Sequence, residues 1–244
     1  MSEEVKKTVE DTLDDLFGDS KSAIEQVVEL PSRGIGYPPG MDKVTLRTLT
    51  FEDEKIMSES TPDQDIVSLL LTRCVSNLDP DILYGPDKLY LLYKIRELSY
   101  GTNLKLNETC SNCGEENQLD VDLSQLPVTM ASDEFSEIKK ITLHDLGKVI
   151  KLRVPRASDS EYLVNKSRIL DNLWRFIEKL DKYTDPKVIS QATKRLTSRD
   201  TRAILEALFI EDFGIEAEAK YICSRCRQEN IIEVPISEAF FTVN

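Results

Sequence analysis

Four of the chain's five cysteines fall in two C-x-x-C pairs: Cys110 and Cys113 in CSNCGEEN, and Cys223 and Cys226 in CSRCRQEN. Both octads read C-S-x-C-x-[EQ]-E-N. A C-x-x-C between two strands forms a tight hairpin whose thiolates point the same way. One such knuckle supplies two ligands to a metal, and two knuckles supply the four sulfurs of a closed tetrahedral site. Zinc is the expected ion, one per chain, held by Cys110, Cys113, Cys223 and Cys226 in a structural role that couples metal binding to folding. Other chemistries use the same residues. Four cysteines also permit an iron–sulfur cluster. Two redox pairs would need each motif to open a helix after a strand, and here the motifs join strands. Disulfides are disfavoured in a reducing compartment. The fifth cysteine, Cys74, lies in the apolar run DIVSLLLTRCVSNL and packs there as a small hydrophobe. The single histidine, His144 in TLHDLG, has no ligand-like spacing to the cysteines and is expected in a turn or strand.

The elements around the octads must bring them together. LKLNET leads into Cys110, and NQLDVDL alternates apolar and polar after Cys113, as a half-buried strand does. IEAEAKYI and NIIEVPI flank the second octad in the same way. Residues 114–222 separate the pairs, far more than a simple ribbon has. The expected fold is therefore α+β, with helical segments around a small antiparallel zinc-ribbon-like β unit split by a large α+β insertion. The division is residues 1–29, an acidic amphipathic arm; 30–109, an irregular segment, a strand and helices; 110–130 and 215–236, the two halves of the zinc-knuckle unit; and 131–214, inserted strands and helices. Gly114 follows the first knuckle, where a positive backbone angle suits glycine, and Arg227 stands at that place in the second. Asn117 and Asn230 hold matching offsets suited to hydrogen-bonding the hairpin backbone.

Helix signals punctuate the rest. Thr50 and Asp53 form a capping box in TFED. Thr61 and Pro62 are expected to open a helix with Ile66, Leu69, Leu70 and Val75 on its apolar stripe. Another helix runs from near Pro86 to Gly101. Ser158 with Glu161 predicts a long helix carrying Leu163, Leu170, Leu173, Trp174 and Ile177. DPKVISQATKRL and SRDTRAILEALFIEDFGI predict two more, the last ending at Gly214.

Composition narrows the function. The chain has 244 residues, 40% hydrophobic and 31% charged, with a formal net charge of −13. That acidity argues against nucleic acid as the main partner, because phosphate binding draws on Lys and Arg. The basic stretch Lys187, Lys194, Arg195, Arg199 and Arg202 reads as a solvated helical face. No stretch approaches the roughly 18 apolar residues of a membrane span. The N-terminus shows no apolar signal core, which points to a reducing cytoplasm. Val5, Val9, Leu13, Leu16 and Phe17 recur at helical spacing on an acidic background, a pattern suited to docking on a partner. Ile35 and Tyr37, in the proline- and glycine-rich segment, and Phe240 and Phe241, near the C-terminus, are further candidate partner contacts. Arg96, Tyr100 and Gly101 are expected to support the first knuckle. No catalytic constellation is apparent, so the reading is not an enzyme. A zinc-ribbon nucleic-acid-binding or transcription-related module is the alternative.

Several motifs occur in a telling order: LPSRGIGYPPGMDKVTLRTLTFEDEKIM, LLLTRCV, YLLYKIRELSYG and CSNCGEENQLDVDLSQLPV. Together they resemble the baseplate hub assembly protein family of T-even-type contractile-tailed bacteriophages. The resemblance covers about residues 28–130 and extends more weakly through KLRVPRASD and the second knuckle. It implies a phage tail morphogenesis protein, either a baseplate hub component or a hub assembly chaperone. The implied partners are other baseplate and hub proteins, with the chain an oligomer within a symmetric tail assembly. The implied setting is the host cytoplasm during assembly, and the virion tail for a permanent component.

Overall fold

The computed structural model describes residues 12, 16, 23–59, 65–209, 212–236 and 238–241. It is a mixed α and β structure with several small antiparallel sheets. Strands β1 (Glu25–Glu29), β2 (Lys43–Arg47) and β3 (Val75–Ser76) form the first sheet in that order. Val44 and Leu46 alternate inward on β2 and are fully buried, with Val28 and Val75 beside them. Residues 25–29, expected within the N-terminal arm, are thus a sheet strand that pairs with β2 along its length.

Between β2 and β3 lie helices α1 (Phe51–Glu59) and α2 (Ile66–Cys74). Asp53 reaches back to Thr50 as the expected capping box requires, its carboxylate accepting the Thr50 N–H at 2.9 Å and hydroxyl at 2.8 Å, while the Asp53 N–H donates to the Thr50 carbonyl at 3.0 Å and not to its hydroxyl. Asp53 is fully buried and is also gripped by Arg47 and Arg73. Burial raises its pKa, but these donors outweigh it and hold the carboxyl well below the usual range. The expected cap at Thr61 and Pro62 falls outside the described residues. Asp65 caps α2 instead, accepting from the Ser68 N–H at 3.0 Å. Cys74 is buried in the core as expected.

Helix α3 (Gly85–Tyr100) buries Asp87, Leu91 and Ile95 on one face and stops at Gly101, φ 84°. It feeds the hairpin of β4 (Asn103–Thr109) and β5 (Glu116–Asp122). Short β6 (Val128–Thr129) follows. A second three-stranded sheet contains β7 (Ile138–Thr142), β8 (Val149–Arg153) and β9 (Ile177–Leu180). His144 lies exposed in the β7–β8 turn, where it was expected.

The long helix predicted over 158–177 is broken. It becomes α4 (Ser160–Leu163), α5 (Lys166–Asn172) and a 3-10 turn, and Ile177 opens β9. The Asn165 side chain accepts the Arg168 N–H at 3.0 Å and so starts a new helix mid-pattern. The cap also shifts: Asp159, not Glu161, reaches back to the Arg156 N–H at 2.8 Å. Then come α6 (Pro186–Thr193) and α7 (Ser198–Phe209). Gly214 does not end a helix. It sits in β10 (Gly214–Ile215), which pairs with β6. β11 (Glu218–Ile222) and β12 (Glu229–Glu233) form the last hairpin.

Two hydrophobic clusters result. The larger joins the first sheet, α2, α3 and both cysteine hairpins. The smaller joins the second sheet, α6 and α7 around Phe176 and Ile204. Three candidate partner contacts belong to the larger one, because the chain buries them itself. Tyr37 stacks on Tyr84 with ring centroids 5.1 Å apart, and its hydroxyl donates to Asp87 at 2.5 Å. Phe240 packs edge-on against Tyr93 and Phe241, each at 5.0 Å. Such pairs contribute about 0.5–1.5 kcal/mol beyond area burial, so these rings are committed to the fold. The Tyr93 hydroxyl also donates to the Val234 carbonyl at 2.6 Å, tying α3 to the chain leaving the last hairpin.

Candidate metal centre

Each octad closes its hairpin by the same backbone route. In the first, the Cys110 N–H donates to the Glu115 carbonyl at 2.8 Å, and the Gly114 N–H to the Cys110 carbonyl at 2.9 Å. In the second, the Cys223 N–H donates to the Gln228 carbonyl at 2.9 Å, and the Arg227 N–H to the Cys223 carbonyl at 3.1 Å. The turn needs a left-handed residue after the second cysteine. Gly114 (φ 73°) supplies it freely, whereas Arg227 (φ 63°) does so against its Cβ.

The hairpins are separate two-stranded sheets, and their tips meet. Cys110 Sγ lies 3.7 Å from Cys226 Sγ, and Cys113 Sγ lies 3.7 Å from Cys223 Sγ. All four sulfurs fall within 4.8 Å of one another. A tetrahedron with metal–sulfur bonds of about 2.3 Å has sulfur–sulfur edges of about 3.8 Å. The observed spacing therefore suits a single tetrahedral ion. A multi-iron core would hold its ligands further apart.

The two asparagines do more than brace their own turns. Asn117 Nδ2 donates to the Glu115 carbonyl at 3.0 Å and Asn230 Nδ2 to the Gln228 carbonyl at 2.9 Å, as their offsets suggested. Each also reaches across to the other octad. Asn117 Oδ1 accepts from the Ser224 N–H at 2.9 Å and hydroxyl at 3.0 Å, while Asn230 Oδ1 accepts from the Ser111 hydroxyl at 3.2 Å. Their amide nitrogens stand near the opposite sulfurs, Asn117 Nδ2 at 3.8 Å from Cys223 and Asn230 Nδ2 at 3.7 Å from Cys110. The role of Ser111 and Ser224 was missed, although the shared C-S-x-C pattern carried it.

As four thiols, the set shares charge unevenly. The Cys226 backbone N–H leads in drawing the Cys223 thiol down to about 6, and the Asn112 side chain leads in lowering Cys226. At Cys113 the Glu115 N–H favours the thiolate, but burial and the neighbouring sulfurs outweigh it and push the thiol up to about 12. A cation at the centre would stabilise all four thiolates together.

Arg96 supports the approach to the first knuckle. It is buried, donates to the Gly101 carbonyl at 2.8 Å and lies over the Tyr100 ring at 5.0 Å. Of the remaining contact candidates, Ile35 is half-buried against the larger cluster, and Leu16 is 72% exposed. Leu13 and Phe17 lie outside the described residues. In the basic stretch, Arg199 and Arg202 pair with Asp145 and Glu206 at the surface. No helix among the described residues is long and apolar enough to cross a membrane.

The model of a family described as T4 bacteriophage base plate protein matches residues 22–242, nearly the whole chain. Among curated proteins and among solved structures, nothing matches.

Proposed function

Because the chain belongs to the T4 bacteriophage base plate protein family, we propose that it is a non-enzymatic tail morphogenesis protein, a baseplate hub component or hub assembly chaperone. The family match over residues 22–242 carries this reading. It acts through contacts with other baseplate proteins, in the host cytoplasm during assembly and, for a permanent component, in the virion tail. Affinity purification of the tagged chain from infected cells, followed by mass spectrometry, tests it. Recovery of baseplate proteins is expected. Recovery of the chain with nucleic acid and without tail proteins would overturn it. Mass spectrometry of purified particles then separates the two roles: a component is present, a chaperone absent.

The four-sulfur cluster, on this proposal, is a zinc-ribbon-like site that holds one structural zinc through Cys110, Cys113, Cys223 and Cys226. The sulfur spacing supports it, as do the asparagine amides that stand beside two of the sulfurs. The ion would join chain segments far apart in sequence, so its binding energy would be folding energy.

A further inference from the structure

The likeness of the two octads is the end of a longer parallel. The first and second sheets have the same strand order, with two helices between the second and third strands. The last pair before each arginine is equivalent: Leu46 pairs with Val75, and Leu152 with Ile177, where the second sheet adds a bulge between Lys151 and Leu152. Each middle strand ends in an arginine that holds a buried aspartate with two nitrogens. Arg47 grips Asp53 at 2.6 and 3.1 Å, and Arg153 grips Asp159 at 2.6 and 2.7 Å. The same arginine donates its Nε to a carbonyl two residues before the paired third-strand residue, Arg73 at 2.9 Å and Arg175 at 3.1 Å.

The parallel continues through the helix before each knuckle. Asp87, Leu91 and Ile95 of α3 are buried at the spacing of Asp200, Ile204 and Leu208 of α7. Both buried aspartates receive N–H groups from the turn between the first two strands of their own sheet. Ser32 donates to Asp87 at 2.9 Å, while Asp145 and Leu146 donate to Asp200 at 3.0 and 2.9 Å. Gly101 and Gly214, both with positive φ, then stand equally far ahead of their first cysteines. From the aspartate to the knuckle asparagine, 87–117 and 200–230 are equal in length, with no insertion or deletion. Chance does not place an ion pair, a register, a buried acid, a glycine and a knuckle in one order twice.

We infer that the chain is two copies of one structural unit, residues 25–122 and 138–235, and that each unit's binding partner is the other. The knuckle contact is reciprocal, as between two like subunits: Cys110 meets Cys226, Cys113 meets Cys223, Asn117 meets Ser224 and Asn230 meets Ser111. The sulfur cluster is then the joint of an internal dimer, and residues 131–214 are mostly the second unit, not an insertion. The units have diverged in the turn after the first strand. In the first, residues 30–42 form an enlarged loop that meets the second unit. Arg156 donates to the Gly36 carbonyl at 2.9 Å and lies 3.7 Å over the Tyr84 ring. This is a second joint beside the sulfurs, and it gives the proline- and glycine-rich segment an internal role.

Two experiments on the full chain test the inference, and neither depends on which metal is bound. Arg225→Asn/Arg227→Gly/Gln228→Glu makes both octads CSNCGEEN, and Asn112→Arg/Gly114→Arg/Glu115→Gln makes both CSRCRQEN. If the octads are equivalent, the Ser224 amide stays protected from hydrogen exchange in both variants, within the few-fold change that the glycine–arginine exchange at the turn itself brings. Lost protection in either would mean that each octad is fitted to its own place and would overturn the inference. Arg47→Lys and Arg153→Lys break the matching bidentate pairs. Each should lower the folding constant roughly tenfold to a hundredfold. Wild-type stability in one, with loss in the other, would overturn the equivalence of the units.

Discussion

Arg227 occupies a backbone position that its counterpart fills with glycine, and the consequence can be measured. A left-handed conformation costs a residue with a Cβ about 1–2 kcal/mol. Glycine offsets part of this through its larger unfolded-state entropy, about 0.5–1 kcal/mol. The Arg227 side chain is exposed, and no carboxylate among the described residues pairs with it. Arg227→Gly should therefore stabilise the chain by about 0.5–1 kcal/mol, since little else changes. For a chain of this size, 1 kcal/mol shifts the melting midpoint by about 2–4 °C, so the expected rise is about 1–4 °C. Gly114→Ala is the mirror experiment. A Cβ there meets nothing within 4 Å, so only the backbone cost applies, and the midpoint should fall by a similar amount. Differential scanning calorimetry resolves shifts of this size. A lower midpoint for Arg227→Gly, or a higher one for Gly114→Ala, would refute the claim that the two turns share one backbone.

Asp53→Asn should cost about 3–5 kcal/mol in urea unfolding, because it leaves Arg47 and Arg73 facing a neutral group. The folded-state pKa of Asp53 is depressed, so the wild-type contribution is fully present above the unfolded carboxylate range and is lost as pH falls through and below about 4. The gap between wild type and Asp53→Asn should narrow over that window. Tyr37→Phe removes the hydroxyl between Asp87 and the Tyr84 N–H and should cost about 1–3 kcal/mol by the same assay. Asn117→Ala should weaken zinc retention about 10–100-fold in a chelator competition, because the residue holds Ser224 and stands beside Cys223.

Where local chemistry decides structure, the sequence was readable. The Thr50–Asp53 box, the α3 stop at Gly101 and the two knuckle hairpins follow from side chains acting on nearby backbone. Distance in sequence hid the rest. An apolar stripe ran through Leu163, Leu170 and Ile177, but the Asn165 cap and the pairing of Ile177 with Leu152 divide it between helix and strand. Tyr37, Phe240 and Phe241 read as surface anchors because their covering rings, Tyr84 and Tyr93, lie far away in the chain. Asp87 and Asp200 stand in the first turns of α3 and α7, an ordinary place for an acid. Only the folded chain shows that each closes over a strand turn.

Metal content tests the central claim most directly. Elemental analysis of the purified chain should give one zinc per molecule. Cys113→Ser and Cys226→Ser, one in each octad, should each abolish it, because both cysteines serve the same ion. Full zinc in either variant, or loss from one alone, would contradict a single site shared between the two octads.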